Sequence, residues 1–257
     1  MELIAVTADN LWQESICCAS SGKKDDVQTL SKKNWLLERF ADGLVFTRCN
    51  VSGKAFIEYL PAENAWCPVD AEGWMFINCL WVSGSNKGQG YSRLLLDSCI
   101  SDSRAKGKRG LAVLSSQKKK SFLSDPKYLR HQGFIPADEA PNGYVLMALP
   151  SSEGMTLPCF RPCVRAGTIP APGFVLYYTH QCPFNAKYVP LIERMAGERG
   201  VSFRSERITS KEQAQSLPVP FSTYSLFYDG RLVASEILSE KKFEGLLTSL
   251  HLFEKTP

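Results

Sequence analysis

A chain of 257 residues with 44% hydrophobic and 22% charged residues has the composition of a globular protein and is long enough for two modest hydrophobic cores. Its net charge of +4 is too small to indicate nucleic-acid binding. Residues 1–6 lack a signal-peptide pattern, and no later window approaches the roughly 18 apolar residues of a membrane span. We therefore expect a cytoplasmic protein that binds neither nucleic acid nor a membrane.

The cysteine and histidine content limits the disulfides and metal sites that we expect. The chain has nine cysteines and three histidines, and no CxxC motif occurs. Without a secretory signal, an odd number of cysteines favours reduced thiols over a disulfide framework. Cys159 and Cys163 are spaced as CxxxC, but with so few histidines we expect no metal site.

The first half of the chain mixes helical and strand patterns. Thr7 or Asp9 can cap a first helix in which Leu11 and Cys18 share a face, and a second helical pattern ends at Gly43. Further strands and one helix follow: strands at 44–49, 54–60, 73–82, 110–115 and 144–149, and a helix that ends at Gly133.

The stretch from Gly73 to Arg104 combines three of these patterns. A run from Trp74 to Val82 with one strongly polar residue, Asn78, predicts a buried strand. A polar turn with three glycines follows, and then apolar residues at helical spacing. The free N–H groups at the start of that helix favour a phosphate or pyrophosphate ligand.

A change in amino-acid composition predicts a domain boundary. Prolines and glycines are dense between residues 150 and 173, and periodic segments resume afterwards as strand, helix, strand, hairpin and helix. This order is thioredoxin-like. We predict a first domain at residues 1–150, a linker at 151–172 and a second domain at 173–257.

Several phrases carry a resemblance to a known family: ICCAS, GKAFIEYLPAENAWCPVDAEGW, INCLWVSGSNKGQGYSRLLLDSC, SFLSDPKYLRHQGF and HQCPFNAKY. The first domain resembles GNAT-family N-acetyltransferases, and the whole chain resembles the bacterial YoaP-like proteins, which join such a domain to a small thioredoxin-like one. The resemblance implies an α/β (α+β) fold class, with a GNAT acyl-CoA N-acyltransferase fold followed by a thioredoxin-like domain.

For GNAT enzymes the resemblance implies acetyl-coenzyme A as the acetyl donor, with pantetheine beside the fourth strand and pyrophosphate on the turn after it. The matching positions are Leu80, Trp81 and Val82 for pantetheine, and Ser85, Asn86, Lys87, Gly88, Gln89, Gly90, Tyr91 and Ser92 for pyrophosphate. Ser85 stands where the family usually has Arg or Gln, and Lys87 can supply the missing charge.

The same resemblance implies a general acid. GNAT enzymes often carry a tyrosine four residues before the glycine of a GF pair, where it protonates the leaving thiolate. Here that position holds Leu129, and Tyr128 is its neighbour. Tyr128 is therefore the candidate acid, and a packing aromatic is the alternative. The candidate base is Glu58, which interrupts an apolar strand and would need a partner there; Asp70 and Glu72 are the alternatives.

Cys182 is the candidate site of the second domain. It follows a predicted strand and precedes a helix, whose dipole favours a thiolate at that end. Asn185 stands three residues later, so a CxxC disulfide is excluded. A monothiol mode stays open, and so does a module for binding a substrate or partner.

The leading hypothesis is acetyl transfer from acetyl-coenzyme A to an amine by direct attack in a ternary complex. The alternatives are a monothiol redox protein or sensor that acts through Cys182, and a non-catalytic acyl-CoA-binding module. The acceptor can be a small-molecule amine or a peptide, and the sequence does not indicate the oligomeric state.

Overall fold

The computed structural model describes residues 2–16, 19 and 26–252. Its strands are β1 (Leu3–Val6), β2 (Val45–Cys49), β3 (Ala55–Pro61), β4 (Val69–Asp70), β5 (Met75–Val82), β6 (Gly110–Ser116), β7 (Ile135–Ala140), β8 (Tyr144–Pro150), β9 (Cys159–Phe160), β10 (Phe174–Tyr178), β11 (Phe203–Arg207), β12 (Tyr224–Tyr228) and β13 (Arg231–Ala234). Its α-helices are α1 (Val27–Phe40), α2 (Tyr91–Ala105), α3 (Pro126–His131), α4 (Asn185–Glu198), α5 (Lys211–Gln215) and α6 (Glu240–Ser249). The fold class is α/β, as predicted.

The first sheet contains seven strands in the order β1-β2-β3-β5-β6-β8-β7. All neighbouring strands are antiparallel except β5 and β6, which are parallel and are joined by α2. The five strands predicted in this half are all confirmed, within one or two residues at most ends. Helix α1 ends just before Gly43, whose φ of 82° suits a glycine that ends a helix.

The first predicted helix is wrong over its described part. Residues 3–6, which precede the predicted cap, form β1, and the residues from Thr7 onward form isolated turns instead of a helix. The Asn10 side chain accepts from the Thr7 backbone N–H at 2.8 Å and donates to the Ala5 carbonyl at 2.9 Å. Beyond Thr7 the backbone makes only separate helical bonds, from the Leu11 N–H to the Thr7 carbonyl and from the Glu14 N–H to the Asn10 carbonyl, so no regular helix forms. Cys17 and Cys18 lie outside the described residues.

The second sheet contains four strands in the order β11-β10-β12-β13. Strands β10 and β11 are parallel and are connected by α4, whereas β12 pairs antiparallel with β10 and β13. The sequence predicted this order of strand, helix, strand, hairpin and terminal helix. It missed the short α5.

The two sheets share one apolar core. Buried side chains of the first sheet, such as Phe56 and Leu114, belong to the same cluster as Leu176 and Leu226 of the second. Between the sheets, β9 pairs back onto β4 of the first half. The domain boundaries at 150 and 173 therefore stay a prediction. Among the helices of the described residues, none is long and apolar enough to cross a membrane.

Candidate active site

A gap between the central strands is the first element of the site. Strands β5 and β6 pair only from Met75 to Ile77 and from Leu111 to Val113, although β5 continues to Val82 and β6 to Ser116. The strands thus separate towards their carboxyl ends. Some backbone N–H groups of residues 78–82 face the gap without a partner strand on that side, and they can donate to a bound ligand.

A β-bulge lies at the point of separation. Glu58 of β3 pairs with Cys79, but the next residue, Tyr59, pairs with Ile77. Asn78 is therefore the extra residue of β5. A bulge turns the strand and redirects side chains, and here the Asn78 amide donates to Glu58 Oε1 at 2.9 Å.

The glycine-rich turn after β5 leaves room beside its backbone. Gly84, Gly88 and Gly90 have φ values of 58°, 77° and 79°, and a Cβ added at any of them would meet nothing within 4 Å. Gly90 is the N-cap of α2 and provides no side-chain cap. The N–H groups of Tyr91 and Ser92, the first two of α2, are consequently available to an anion.

Two other residues of this turn have different surroundings. Asn86 is buried, and its side chain donates to the Ser52 carbonyl at 2.8 Å, which ties the turn to the β2–β3 hairpin. The Asn86 side chain therefore has a structural role. Lys87, by contrast, borders the main cleft described below.

A buried ion pair lies beneath the bulge. Glu58 is fully buried, and its Oε2 accepts a hydrogen bond from the Lys32 ammonium of α1. Lys32 also donates to the Gln181 carbonyl at 2.8 Å. The partner that a buried carboxylate requires is thus present. Through Lys32, the same network connects the first sheet to the residue that precedes Cys182.

Tyr128 lies on α3, against the start of α2. Burial raises the pKa of the Tyr128 phenol, and the nearby Ser92 hydroxyl and Arg93 charge oppose that shift only in part. Its hydroxyl makes no hydrogen bond of good geometry with the rest of the described chain. The phenol therefore stays protonated at neutral pH and has a proton to donate. Tyr128 does not border the main cleft.

The main cleft has a volume of about 590 Å³ and is lined from both halves of the chain. From the first half come Glu58, Leu80 and Trp81, and from the second come Cys182 and Thr223. The Trp81 side chain is 43% exposed, which is unusual for a large apolar residue on a central strand. The predicted acetyl-donor strand and the predicted thiol thus face one cleft.

Asn185, three residues after Cys182, has a structural role. Asn185, fully buried at the start of α4, donates to the carbonyls of Thr179 and Thr223 at 2.8 and 2.7 Å. It therefore joins α4 to the ends of β10 and β12 where a CxxC protein would have its second cysteine. Among the described residues no group of three or more metal-binding side chains is placed to hold an ion.

The alternative bases lie elsewhere. Asp70 pairs with Arg161 at 3.2 Å, and neither Asp70 nor Glu72 borders the main cleft. Sequence reasoning missed Lys32 and Gln181, because nothing local marks a lysine of α1 or a loop carbonyl as a partner of Glu58. Asn78 had a visible signal, as the one strongly polar residue of its strand.

A YoaP-like family model matches residues 203–244. The protein named "Uncharacterized N-acetyltransferase YoaP" from Bacillus subtilis (strain 168) is 42% identical over 247 residues, or 96% of this chain and 98% of that protein. A putative GNAT-family acetyltransferase from Desulfovibrio desulfuricans is 16% identical with a TM-score of 0.41, covering 59% of this chain and 100% of its own.

A second solved structure, a GNAT-family acetyltransferase from Brucella melitensis in complex with acetyl-CoA, is 14% identical with a TM-score of 0.38 and covers 60% of this chain and 90% of its own. The sequence identity with the Bacillus subtilis protein, in contrast, extends over nearly the full length of both chains. The chain therefore belongs to the YoaP family of N-acetyltransferases.

Proposed function

We propose that the protein transfers an acetyl group from acetyl-coenzyme A to a small-molecule or peptide amine by direct attack in a ternary complex. The observation that carries this proposal is the gap between β5 and β6, which leads on one side to the open glycine turn and on the other to the main cleft. A donor with a long arm and an anionic end has both a slot and an anion site here.

The residues present fit acetyl-coenzyme A. The pyrophosphate would lie against the backbone of Ser85–Gly90 and the N-terminus of α2, where Gly88 and Gly90 leave open space. Lys87 supplies a positive charge at the edge of the cleft. The pantetheine would lie along Leu80–Val82, on the side of β5 that β6 has left.

When bound, acetyl-coenzyme A supplies the thioester that the acceptor amine attacks. The chain would contribute backbone N–H groups beyond the Asn78 bulge, which can stabilise a developing oxyanion. Tyr128 would donate its proton to the departing sulfur. Glu58 would receive the proton of the amine, with Lys32 and Asn78 holding its carboxylate in place.

The second domain would present the acceptor. Cys182 and Thr223 line the main cleft together with Leu80 and Trp81, so an acceptor held by the second domain would share the cleft with the donor strand. We propose that this domain, which we take to be thioredoxin-like, determines the acceptor. The mainly apolar lining favours an amine with an apolar body.

Calorimetry with purified protein tests the proposal. We expect acetyl-coenzyme A to bind with a dissociation constant on the order of 1 μM to 1 mM, the usual range of KM values. Gly88→Val is the variant that should weaken the binding of acetyl-coenzyme A, because a branched side chain would occupy the open space beside the turn. Gly154→Val, at a glycine with similar φ and equal space outside the site, is the control. No binding by the wild type at millimolar ligand would refute the proposal.

A second function, thiol exchange through Cys182, is favoured by one observation: this thiol borders the main cleft. Alkylation of Cys182 should then be faster than that of free cysteine at neutral pH, and Cys182→Ser should abolish the fast phase. If Cys182 reacts no faster than free cysteine, thiol chemistry is excluded and the residue serves only to line the acceptor side.

A further inference from the structure

The charged residues that line the main cleft are mostly cations. Among the described residues, Glu58 is the one acid of the lining, and it is neutralised by Lys32. The lining also contains four further lysines: Lys87, Lys119, Lys120 and Lys242. An excess of positive charge in a cleft favours an anionic ligand.

Three of these four lysines have a partner or an expected role. Lys119 pairs with Asp125 at 3.2 Å, and Lys242 pairs with Glu236 at 2.8 Å. Lys87 belongs to the turn on which we expect the pyrophosphate of the coenzyme. These three therefore do not require a further anion.

Lys120 has no counter-charge. It is half-buried on the loop after β6, and its ammonium group donates to the Asn142 carbonyl at 2.6 Å and lies 4.6 Å from the centre of the Tyr144 ring. No carboxylate of the described chain forms an ion pair with it, and burial lowers its pKa. An ammonium group has three donors, so two remain beside the bond to Asn142. A monoanion such as a carboxylate would supply the missing charge.

The position of Lys120 favours the acceptor as the source of this carboxylate. A second cavity, of about 540 Å³, lies between the loop after β6 and α6, and Lys120, Ser121 and Lys242 border both this cavity and the main cleft. None of residues 80–92, which we assign to the donor, contributes to the lining of the second cavity. Lys120 thus borders a space that the donor strand and turn do not reach.

Phe122, two residues beyond Lys120, brings an aromatic ring to the same cleft. Its φ is 64°, a left-handed conformation that is unfavourable for a bulky residue and that persists where the surroundings hold it, often at ligand sites. Its side chain is 44% exposed although it borders the main cleft. The backbone therefore holds a large apolar side chain where a ligand can contact it.

The Phe122 ring meets an aromatic ring of the second half of the chain. Phe184, two residues after Cys182, has its ring centre 6.2 Å from that of Phe122, with the ring planes at 78°. Phe184 is also partly exposed and borders the main cleft. Two rings in this edge-to-face arrangement offer a favourable surface for a third aromatic group.

We propose that the acceptor is an amine that carries both a carboxylate and an aromatic group, of which an aromatic amino acid is the simplest case. Its carboxylate would pair with Lys120, its ring would pack against Phe122 and Phe184, and its amine would face Glu58. The inference rests on the acetyl transfer proposed above and specifies the class of acceptor.

Initial rates of coenzyme A release with three amines test this class. L-Phenylalanine carries all three groups, phenethylamine lacks the carboxylate, and L-alanine lacks the ring. We expect kcat/KM for L-phenylalanine to exceed each of the other two values about tenfold or more, because a charged hydrogen bond or the burial of a ring is absent from each.

The result also separates this inference from the proposed function. A wild type that binds no acetyl-coenzyme A in calorimetry would refute both. A wild type that binds the donor but uses phenethylamine or L-alanine as well as L-phenylalanine, or that acetylates none of the three amines, would overturn only the class of acceptor.

A lysine variant tests the carboxylate. Lys120→Gln should lower kcat/KM for L-phenylalanine about tenfold and leave that for phenethylamine unchanged. The ratio of the two values, compared with that of the wild type, cancels the difference in basicity between the amines. Lys118→Gln is the control, since Lys118 is an exposed residue of the same loop and does not border the cleft. An unchanged ratio in Lys120→Gln would overturn the proposal, and so would weaker binding of acetyl-coenzyme A, because Lys120 would then serve the donor.

A phenylalanine variant tests the aromatic group. Phe122→Ala should lower kcat/KM for L-phenylalanine about tenfold and leave that for L-alanine unchanged. Ile135→Ala is the control, because Ile135 is also 44% exposed but lies outside the cleft. An equal loss with L-phenylalanine and L-alanine in Phe122→Ala would show that the ring only supports the fold, and it would overturn the aromatic part of the proposal.

Discussion

Replacing Lys32 by methionine should destabilise the protein strongly, because it breaks a buried ion pair from one side. Lys32 is 3% exposed and Glu58 is fully buried. In Lys32→Met the Glu58 carboxylate would retain the Asn78 amide but lose its counter-charge, and the Gln181 carbonyl would lose its donor. Removing one partner of a buried pair costs about 3–5 kcal/mol. We expect a loss of that size in the free energy of unfolding.

Urea denaturation of the wild type, Lys32→Met, Glu58→Gln and the double variant measures this pair. The double variant contains no buried charge at this place, so we expect it to be less destabilised than the sum of the single variants, with a coupling free energy of about 2 kcal/mol or more. Lys242→Met is the control, since its ion pair with Glu236 is largely exposed and should contribute less than about 1 kcal/mol. A loss in Lys32→Met no larger than that of the control would refute the reasoning.

Three further predictions concern single residues. Tyr128→Phe should lower the rate constant of acetyl transfer about 10²- to 10⁴-fold if Tyr128 is the acid. Because burial raises the pKa of Tyr128, its acid form persists as pH increases. The rate of the wild type should therefore fall only above about pH 10, which is the pKa of an ordinary tyrosine. A fall in rate near neutral pH would exclude this role. Gly110→Ala should lower the free energy of unfolding by about 1–3 kcal/mol or more, because the φ of Gly110 is 147° and the new Cβ would lie 2.2 Å from the Leu149 carbonyl oxygen. An unchanged thermal midpoint would contradict that geometry. Alkylation of Cys182 should inhibit transfer to the acceptor without changing the affinity for acetyl-coenzyme A, measured by calorimetry, and Cys182→Ser should make the enzyme resistant to the reagent.

The sequence predicted most of the regular elements, because their signals are local. The apolar run of β5, the glycines after it and the helical spacing of α2 lie within one short stretch. The strand β7 was missed, since it is an edge strand that contains Pro136 and is partly exposed, so it lacks the apolar alternation of a strand. The first predicted helix was wrong because its backbone bonds stay isolated and do not continue into a regular ladder, which the apolar pattern does not show.

The candidate site residues also divide into those that local sequence marks and those that only the fold brings together. The sequence by itself determined the family, the strand β5 with the glycine turn after it, and the presence of a cysteine before α4, since each depends on neighbours in the chain. The tertiary structure decided that β5 and β6 separate beyond Ile77, that Lys32 neutralises Glu58, and that Cys182 shares a cleft with Trp81. These features join residues that are from 26 to about 100 positions apart, and such contacts arise from strand pairing and from packing between elements distant in the chain, which local patterns do not encode.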